Sequence, residues 1–198
     1  PAFSTGHMYI TRFVNLVPGG KGKRRSYSHL SMSSEDIEAT ISKLKAFVRP
    51  HHGEVHVLKR DGHPTHRGYN IQQFLTDSSI HDQSSAPYCH EGVGEVEVTW
   101  QHDVPSAMCL LLGCGKTNGS EAHFVTAFFD VERSGNRLIY DKSGKSRDMV
   151  YYGLDTPPSN NCLMVYGSPV KYLVHPEIRD SGKFDEHALP GIYRGPSR

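Results

Sequence analysis

The chain has 198 residues, and its 22 Lys and Arg against 21 Asp and Glu give a formal net charge of +1 at pH 7. This length accommodates one ordinary domain with a small addition, and the balanced charge by itself favours neither a nucleic acid nor an acidic partner. No apolar run is long enough to predict a membrane span, and the four cysteines lack a C-x-x-C pair, which is typical of a reducing compartment.

Strand and helix patterns alternate along most of the chain, which predicts an α/β domain. The chain begins at Pro1 and both ends are abrupt, so we expect it to be part of a longer polypeptide. The predicted elements are, in chain order, strands at 7–17 and 26–32, a helix capped by Ser33 or Ser34 and ended by Pro50, a strand at 54–58, a short helix around 69–75, a strand at 80–86, and a helix capped by Ser120 that buries Phe124, Ala127 and Phe128.

The pattern changes after about residue 140. Residues 157–161 (PPSNN) are typical of a linker, and short strand patterns follow at 162–166, at 169–174 and near Ile192. Such short strands with Gly and Pro between them predict a small β module. We therefore expect two domains, an α/β domain over 1–155 and a β module over 156–198.

Two acidic residues are candidates for a metal site. Asp61 directly follows a predicted strand, where open α/β sheets place their reactive groups, and Glu97 comes after thirty-five intervening residues. An Asp at a strand end and a Glu on a nearby helix can bind the divalent cations used in phosphoryl transfer. The alternative is that both acids are solvated and that their spacing arises by chance among 21 acidic residues.

Several motifs resemble, in order and spacing, those of the integrases of copia-type retrotransposons, in the retroviral integrase superfamily. Residues 57–61 (VLKRD) are similar to the family's strand ending in L-R-S-D, and 87–97 (PYCHEGVGEVE) are similar to P-Y-T-P-x-x-N-G-x-x-E. Residues 107–111 resemble the helix A-x-x-M-L. Near the end, 163–172 and 191–197 resemble L-x-V-F-G-x-x-x-Y-V and G-I-F-L-G-Y-S. The resemblance covers nearly the whole chain.

The resemblance implies a fold and an activity. The fold is a ribonuclease H-like α/β fold, a mixed β-sheet flanked by helices, followed by an SH3-like β module. The activity is DNA integration by metal-dependent strand transfer, within the Pol polyprotein of a retrotransposon. Asp61 and Glu97 match the family's catalytic acids, since Gly94 sets the register, and they would bind Mg²⁺ or Mn²⁺. The implied partners are double-stranded DNA, of the element ends and of the target, and further copies in a homo-oligomer. The implied location is intracellular, in the nucleus during integration.

The sequence also departs from the family pattern. The family's first catalytic Asp has no counterpart, because no Asp occurs before Asp36, so it lies upstream of Pro1 or is lost. The glycine pair after the second Asp is absent, and apolar and neutral residues replace the basic ones that follow the family's Glu. We therefore expect this chain alone to lack strand-transfer activity. Two alternatives stay open: a repurposed core that binds DNA or protein without catalysis, and an unrelated metal-free α/β domain.

Basic side chains supply the candidates for contact with DNA phosphates. The candidates are Lys21, Lys23, Arg24, Arg25, Lys59 and Arg60. The alternative for the first four is a solvated hairpin turn without a binding role. Cys109 is expected to be a small buried residue and Trp100 a packing residue. The His and Cys residues between 51 and 90 lack paired ligand spacing, which argues against a structural zinc.

Overall fold

The computed structural model describes residues 9–14, 25–31, 33, 36–60, 69–84, 94–114, 121–138, 142–158, 164–173 and 188–194. The elements are β1 (Tyr9–Val14), β2 (Ser26–Ser31), α1 (Ile37–His52), β3 (Val57–Arg60), α2 (Tyr69–Asp77), β4 (His81–Ser84), α3 (Gly94–Gly113), α4 (Glu121–Leu138), α5 (Arg147–Tyr152), β5 (Pro169–Leu173) and β6 (Ala188–Ile192).

The described strands form three two-stranded sheets. β1 and β2 are an antiparallel pair in which Tyr9 lies opposite Ser31. β3 and β4 are parallel, with α2 as the crossover helix that a parallel pair needs. β5 and β6 are antiparallel. Each described sheet is thus purely parallel or purely antiparallel, and a single mixed sheet stays a prediction.

Helices cover both faces of the β1–β2 pair. On one face Ile10 packs against a core formed by α3 and α4, whose centre is the fully buried Phe128. On the other face Phe13 packs against a second core, in which α1, α2 and the segment before β4 bury Ile41 and Leu75. Side chains of a strand alternate between its faces, so residues three apart reach opposite layers. The prediction of an α/β fold is confirmed.

Several local predictions were accurate for side chains in the core. Ala127 and Phe128 are fully buried on α4, and Trp100 stacks on Phe128 with 4.9 Å between ring centroids. Trp100 is thus a packing residue, as expected. Ser120 lies outside the described residues, so its role as a helix cap stays a prediction.

Other local predictions were wrong. The residue at the N-cap of α1 is Asp36 rather than Ser33 or Ser34, and α1 continues two residues past Pro50 to His52. A proline removes one backbone donor, and so close to the helix end that loss is small; the Gly53 N–H still donates to the Arg49 carbonyl at 3.2 Å. Cys109 is exposed rather than buried.

The segment near the end has strands at two of the predicted places. β5 and β6 lie within 169–174 and near Ile192, whereas the described part of 162–166 is irregular and turns at Tyr166. Tyr166 is buried against α4, and its hydroxyl lies 2.7 Å from the Thr126 hydroxyl. The SH3-like barrel and the boundary between 1–155 and 156–198 stay predictions. Within the described part of the chain, the helices are too short or too polar to cross a membrane.

Candidate functional site

Glu97 lies in the first turn of α3, which begins at Gly94. Its side chain is exposed, and Glu95 shares the same turn. A carboxylate in this position interacts favourably with the positive end of the helix dipole, an effect worth about 0.3–1 kcal/mol. The placement alone is therefore compatible with a stabilising first-turn acid as well as with a metal ligand.

The first turn of α3 borders a cavity of about 460 Å³. Its lining includes Glu95 and Val96 from α3, Lys59 from β3, and Arg12 from β1. We call this cavity the β1–β3 groove. Asp61 follows Arg60, the last residue of β3, but lies outside the described residues. The end of β3 and the start of α3 are thus neighbours across one groove, whereas the distance between Asp61 and Glu97 stays a prediction.

Two of the basic candidates have carboxylate partners inside the protein. The Arg60 Nε donates to Asp82 Oδ1 at 2.8 Å, and a second bond from its guanidinium completes a bidentate pair. Hydrogen bonding to Arg60 lowers the pKa of Asp82, although partial burial opposes the shift. This pair joins β3 to β4, so it holds in place the strand that Asp61 directly follows.

Arg25 is also engaged within the protein. Its Nε donates to Asp148 Oδ1 at 2.7 Å, and its guanidinium carbon lies 4.7 Å from the Phe47 ring centroid and 5.0 Å from that of Tyr151. Such stacking against aromatic rings is typical of a structural arginine. Lys59 is exposed beside the groove, and the other three basic candidates, Lys21, Lys23 and Arg24, lie outside the described residues.

One described candidate, Glu97, has donor atoms that suit a hard divalent cation. Glu97 offers carboxylate oxygens, the ligand type that Mg²⁺ and Mn²⁺ prefer. Among the described residues no group of three His, Cys, Asp or Glu side chains is placed to hold a metal ion. Of the two acids that the motifs match, Glu97 is the one among the described residues, and the roles of Glu97 and Asp61 as metal ligands stay predictions.

Sequence reasoning missed a set of buried polar side chains with structural roles. Asp103 pairs with Arg12 between α3 and β1, and the Ser28 hydroxyl donates to Glu132 on α4 at 2.8 Å. A signal was present, because Asp103 lies on the same helical stripe as the buried Thr99, Ala107 and Leu111. That periodicity could have identified the residue as buried, but not its partner.

Asp130 on α4 gives a pH-dependent prediction. Burial raises the pKa of Asp130 above its ordinary value of 3.8, although Arg133 and a hydrogen bond from Tyr193 oppose the shift. Because the folded-state pKa is raised, the native state binds more protons, and stability is lost as pH rises from 3.8 through the folded pKa. Asp130→Asn should therefore raise the urea midpoint at pH 7 and leave it nearly unchanged at pH 3. An equal effect at both pH values would contradict the assignment.

No protein-family model matches the chain, and no curated protein matches it. Among solved structures it is similar to a chain of the simian T-cell lymphotropic virus intasome in complex with PP2A regulatory subunit B56 gamma, with a TM-score of 0.55 and 15% identity over 86% of this chain and 58% of that chain. The HTLV-2 integrase catalytic core domain with magnesium, in its dimeric form, has a TM-score of 0.49 and 16% identity, over 66% of this chain and 78% of that one. The BIV integrase catalytic core has a TM-score of 0.46 and 16% identity, over 64% and 76%.

The likeness to the intasome chain is a likeness of fold. It agrees with the layers described above, in which helices flank paired strands. The chain has an α/β fold of the ribonuclease H-like kind. It spans about three fifths of the length of the chain that it matches there (58%).

Proposed function

We propose that this chain is the core of a DNA-integrating enzyme that joins DNA strands by phosphoryl transfer. The observation that carries the proposal is the integrase-like fold, found over 86% of the chain in a protein described as part of an intasome. The position of Glu97 supports it, since this acid lies in the first turn of α3, two residues after Glu95, which lines the groove that β3 also borders. The motifs at 57–61 and 87–97 support a copia-type parent within a retrotransposon polyprotein.

The proposed roles of the residues follow from their chemistry. Asp61 and Glu97 would hold Mg²⁺ or Mn²⁺, which would stabilise the charge that develops on the transferred phosphoryl group. Lys59 is exposed beside the groove and would contact a DNA phosphate. Arg60 would act indirectly, because its pair with Asp82 holds β3 against β4. Double-stranded DNA is the proposed partner, further copies of the chain would complete the assembly, and the nucleus is the proposed place of action.

A non-catalytic DNA- or protein-binding module is the second candidate, and the start of α3 favours it. The three residues after Glu97 carry no positive charge: Val98 is 63% exposed, Thr99 is buried, and Trp100 packs on Phe128. Arg25 and Arg60 already have partners inside the protein. This face would thus give little of the phosphate contact on which tight DNA binding depends.

Metal binding separates the two candidates, and α3 provides a matched control. Glu97→Gln should weaken Mn²⁺ binding by about tenfold or more, because it removes a charged ligand from a site with few of them. Glu95→Gln makes the same replacement of a carboxylate by an amide in the same helical turn, and it should leave Mn²⁺ binding nearly unchanged. Electron paramagnetic resonance of free Mn²⁺ measures the affinity of each variant for the ion. Equal affinities for the unmodified chain and the Glu97 variant would contradict the proposed metal role.

A strand-transfer assay on labelled donor DNA tests catalysis itself. We expect no product from this chain alone, since two of the three acids implied by the motifs are present. Product that disappears in both Asp61→Asn and Glu97→Gln would establish activity and both residues at once. Salt-dependent DNA binding without Mn²⁺ binding would instead favour the non-catalytic module.

A further inference from the structure

The helix α3 carries apolar side chains on two faces. On its inner face, Ala107 and Leu111 are buried in the core. On its outer face, Val98, Met108 and Leu112 are 63%, 47% and 58% exposed. A helix with one apolar stripe turns that stripe towards the core. Because both faces of α3 are apolar in part, burial of apolar surface by itself defines the rotation of the helix about its axis only weakly.

A buried ion pair distinguishes the inner face from the outer one. Asp103 lies on the inner face, one turn before Ala107, and pairs with Arg12 of β1; the two side chains are 7% and 0% exposed. The other carboxylate oxygen of Asp103 lies 2.9 Å from Nδ1 of His102. Nε and Nη1 of Arg12 have no acceptor among the described residues. A different rotation of α3 would also remove the counter-charge of this buried guanidinium, which is strongly unfavourable.

We propose that Asp103 is a positioning residue, whose pair with Arg12 sets the rotation of α3 and thereby the direction of Glu97. An α-helix turns by about 100° per residue, so Glu97, six residues before Asp103, lies about 120° around the axis from it. Holding one carboxylate against β1 therefore fixes where the other points. Selecting one arrangement over another is a role that buried ion pairs serve even where they add little stability. The inference rests on the proposed function only for the metal that Glu97 would bind.

Hydroxyl-radical footprinting, read residue by residue by mass spectrometry, measures which side chains of α3 face solvent. The test variant is Arg12→Met with Asp103→Leu, because an apolar pair of similar volume keeps the core filled. If a second rotation becomes equally populated, the reactivity of the exposed Met108 and Leu112 should fall by about half. The reactivity of Leu110, which packs against the core, should rise. An unchanged pattern in the folded test variant would overturn the proposal and assign the rotation to apolar packing alone.

An exposed ion pair provides the matched control for footprinting. Arg49 and Glu54 have side chains 75% and 48% exposed, and Arg49→Met with Glu54→Leu should leave the pattern of α3 unchanged. A change as large as that in the test variant would also overturn the proposal. If the test variant does not fold, Asp103→Asn decides. Its amide keeps an oxygen for Arg12 but removes the charge, so the same shift of α3 should appear to a smaller degree, and an unchanged pattern would overturn the proposal.

Manganese binding connects the rotation of α3 to the proposed function. With half of the molecules in another rotation, the test variant should bind Mn²⁺ about twofold more weakly than the unmodified chain. Equal Mn²⁺ affinities for the unmodified chain and Glu97→Gln would contradict the proposed function and leave the footprint result intact. A shifted footprint with unchanged Mn²⁺ binding, in a chain whose Glu97→Gln variant has lost that binding, would show that the rotation does not control Glu97. That outcome would overturn the positioning role.

Discussion

Asp103→Ala is expected to lower the free energy of unfolding by about 3–5 kcal/mol, because it leaves a buried arginine without its counter-charge. The Arg12 and Asp103 side chains are 0% and 7% exposed, and the pair joins β1 to α3. The Arg12 guanidinium also lies 5.2 Å from the Phe128 ring centroid, within an apolar core. Water cannot replace the lost carboxylate there, so the cost is close to that of an isolated buried charge. Urea unfolding followed by circular dichroism measures it.

An exposed ion pair gives the matched control. Arg49 and Glu54 lie 3.3 Å apart, with side chains 75% and 48% exposed, and Glu54→Ala should cost about 0–1 kcal/mol. Replacing both members of the buried pair, as Arg12→Met with Asp103→Leu, should recover much of the loss, since apolar pairs of similar volume are tolerated. A loss from Asp103→Ala as small as that from Glu54→Ala would show that Arg12 is not held by this pair.

Phe128→Ala is expected to lower the free energy of unfolding by about 3–5 kcal/mol, the usual cost of removing a large buried aromatic side chain. Phe128 is 0% exposed and stacks on Trp100 across the contact between α3 and α4. The ring centroids of Phe124 and Phe129 each lie 6.1 Å from the ring centroid of Phe128. The cavity that remains would be lined by these rings, which are anchored on two helices and cannot collapse fully into it.

A leucine on the same helix serves as the control. Leu138 ends α4 and is 46% exposed, so Leu138→Ala removes less contact and should cost less than about 1 kcal/mol. Thermal unfolding and urea unfolding should both show that the Phe128→Ala variant is less stable than the Leu138→Ala variant. A Phe128 variant no less stable than the Leu138 variant would contradict the central place of Phe128 in the core.

Local apolar patterns predicted most of the regular structure. The stretches 7–17 and 26–32 contain β1 and β2, and the helical spacing after residue 36 corresponds to α1. These elements could be predicted because their signals are local: side-chain alternation for strands and a 3.6-residue period for helices. α5 was not predicted, because a helix of six residues is too short to show a period.

The candidate site was predicted in part. The motif at 87–97 pointed to Glu97 as a candidate acid on a helix, and it lies in the first turn of α3. The structure adds that this turn shares a groove with β3, which no local pattern indicates. It also gives partners to Arg25 and Arg60, which the sequence showed only as basic residues. Whether a guanidinium contacts solvent or a carboxylate depends on residues far away in the chain: Asp148 lies 123 positions from Arg25.

Sequence alone determined most of the strands and helices and the alternation that predicts an α/β fold, because each depends on neighbours within a few residues. Tertiary structure alone decided which polar residues are buried and what they bind. β2 reads as a strand with serines at alternate positions, yet Ser26 and Ser28 face α4, where Asn136 and Glu132 are one helical turn apart and accept their hydrogen bonds. The two serines are two residues apart on β2, and their partners are four residues apart on α4. These side chains come into contact only after folding has brought together residues 104 and 110 positions apart. Such pairs have no local signal, since burying either partner alone would be unfavourable and only their contact makes it tolerable.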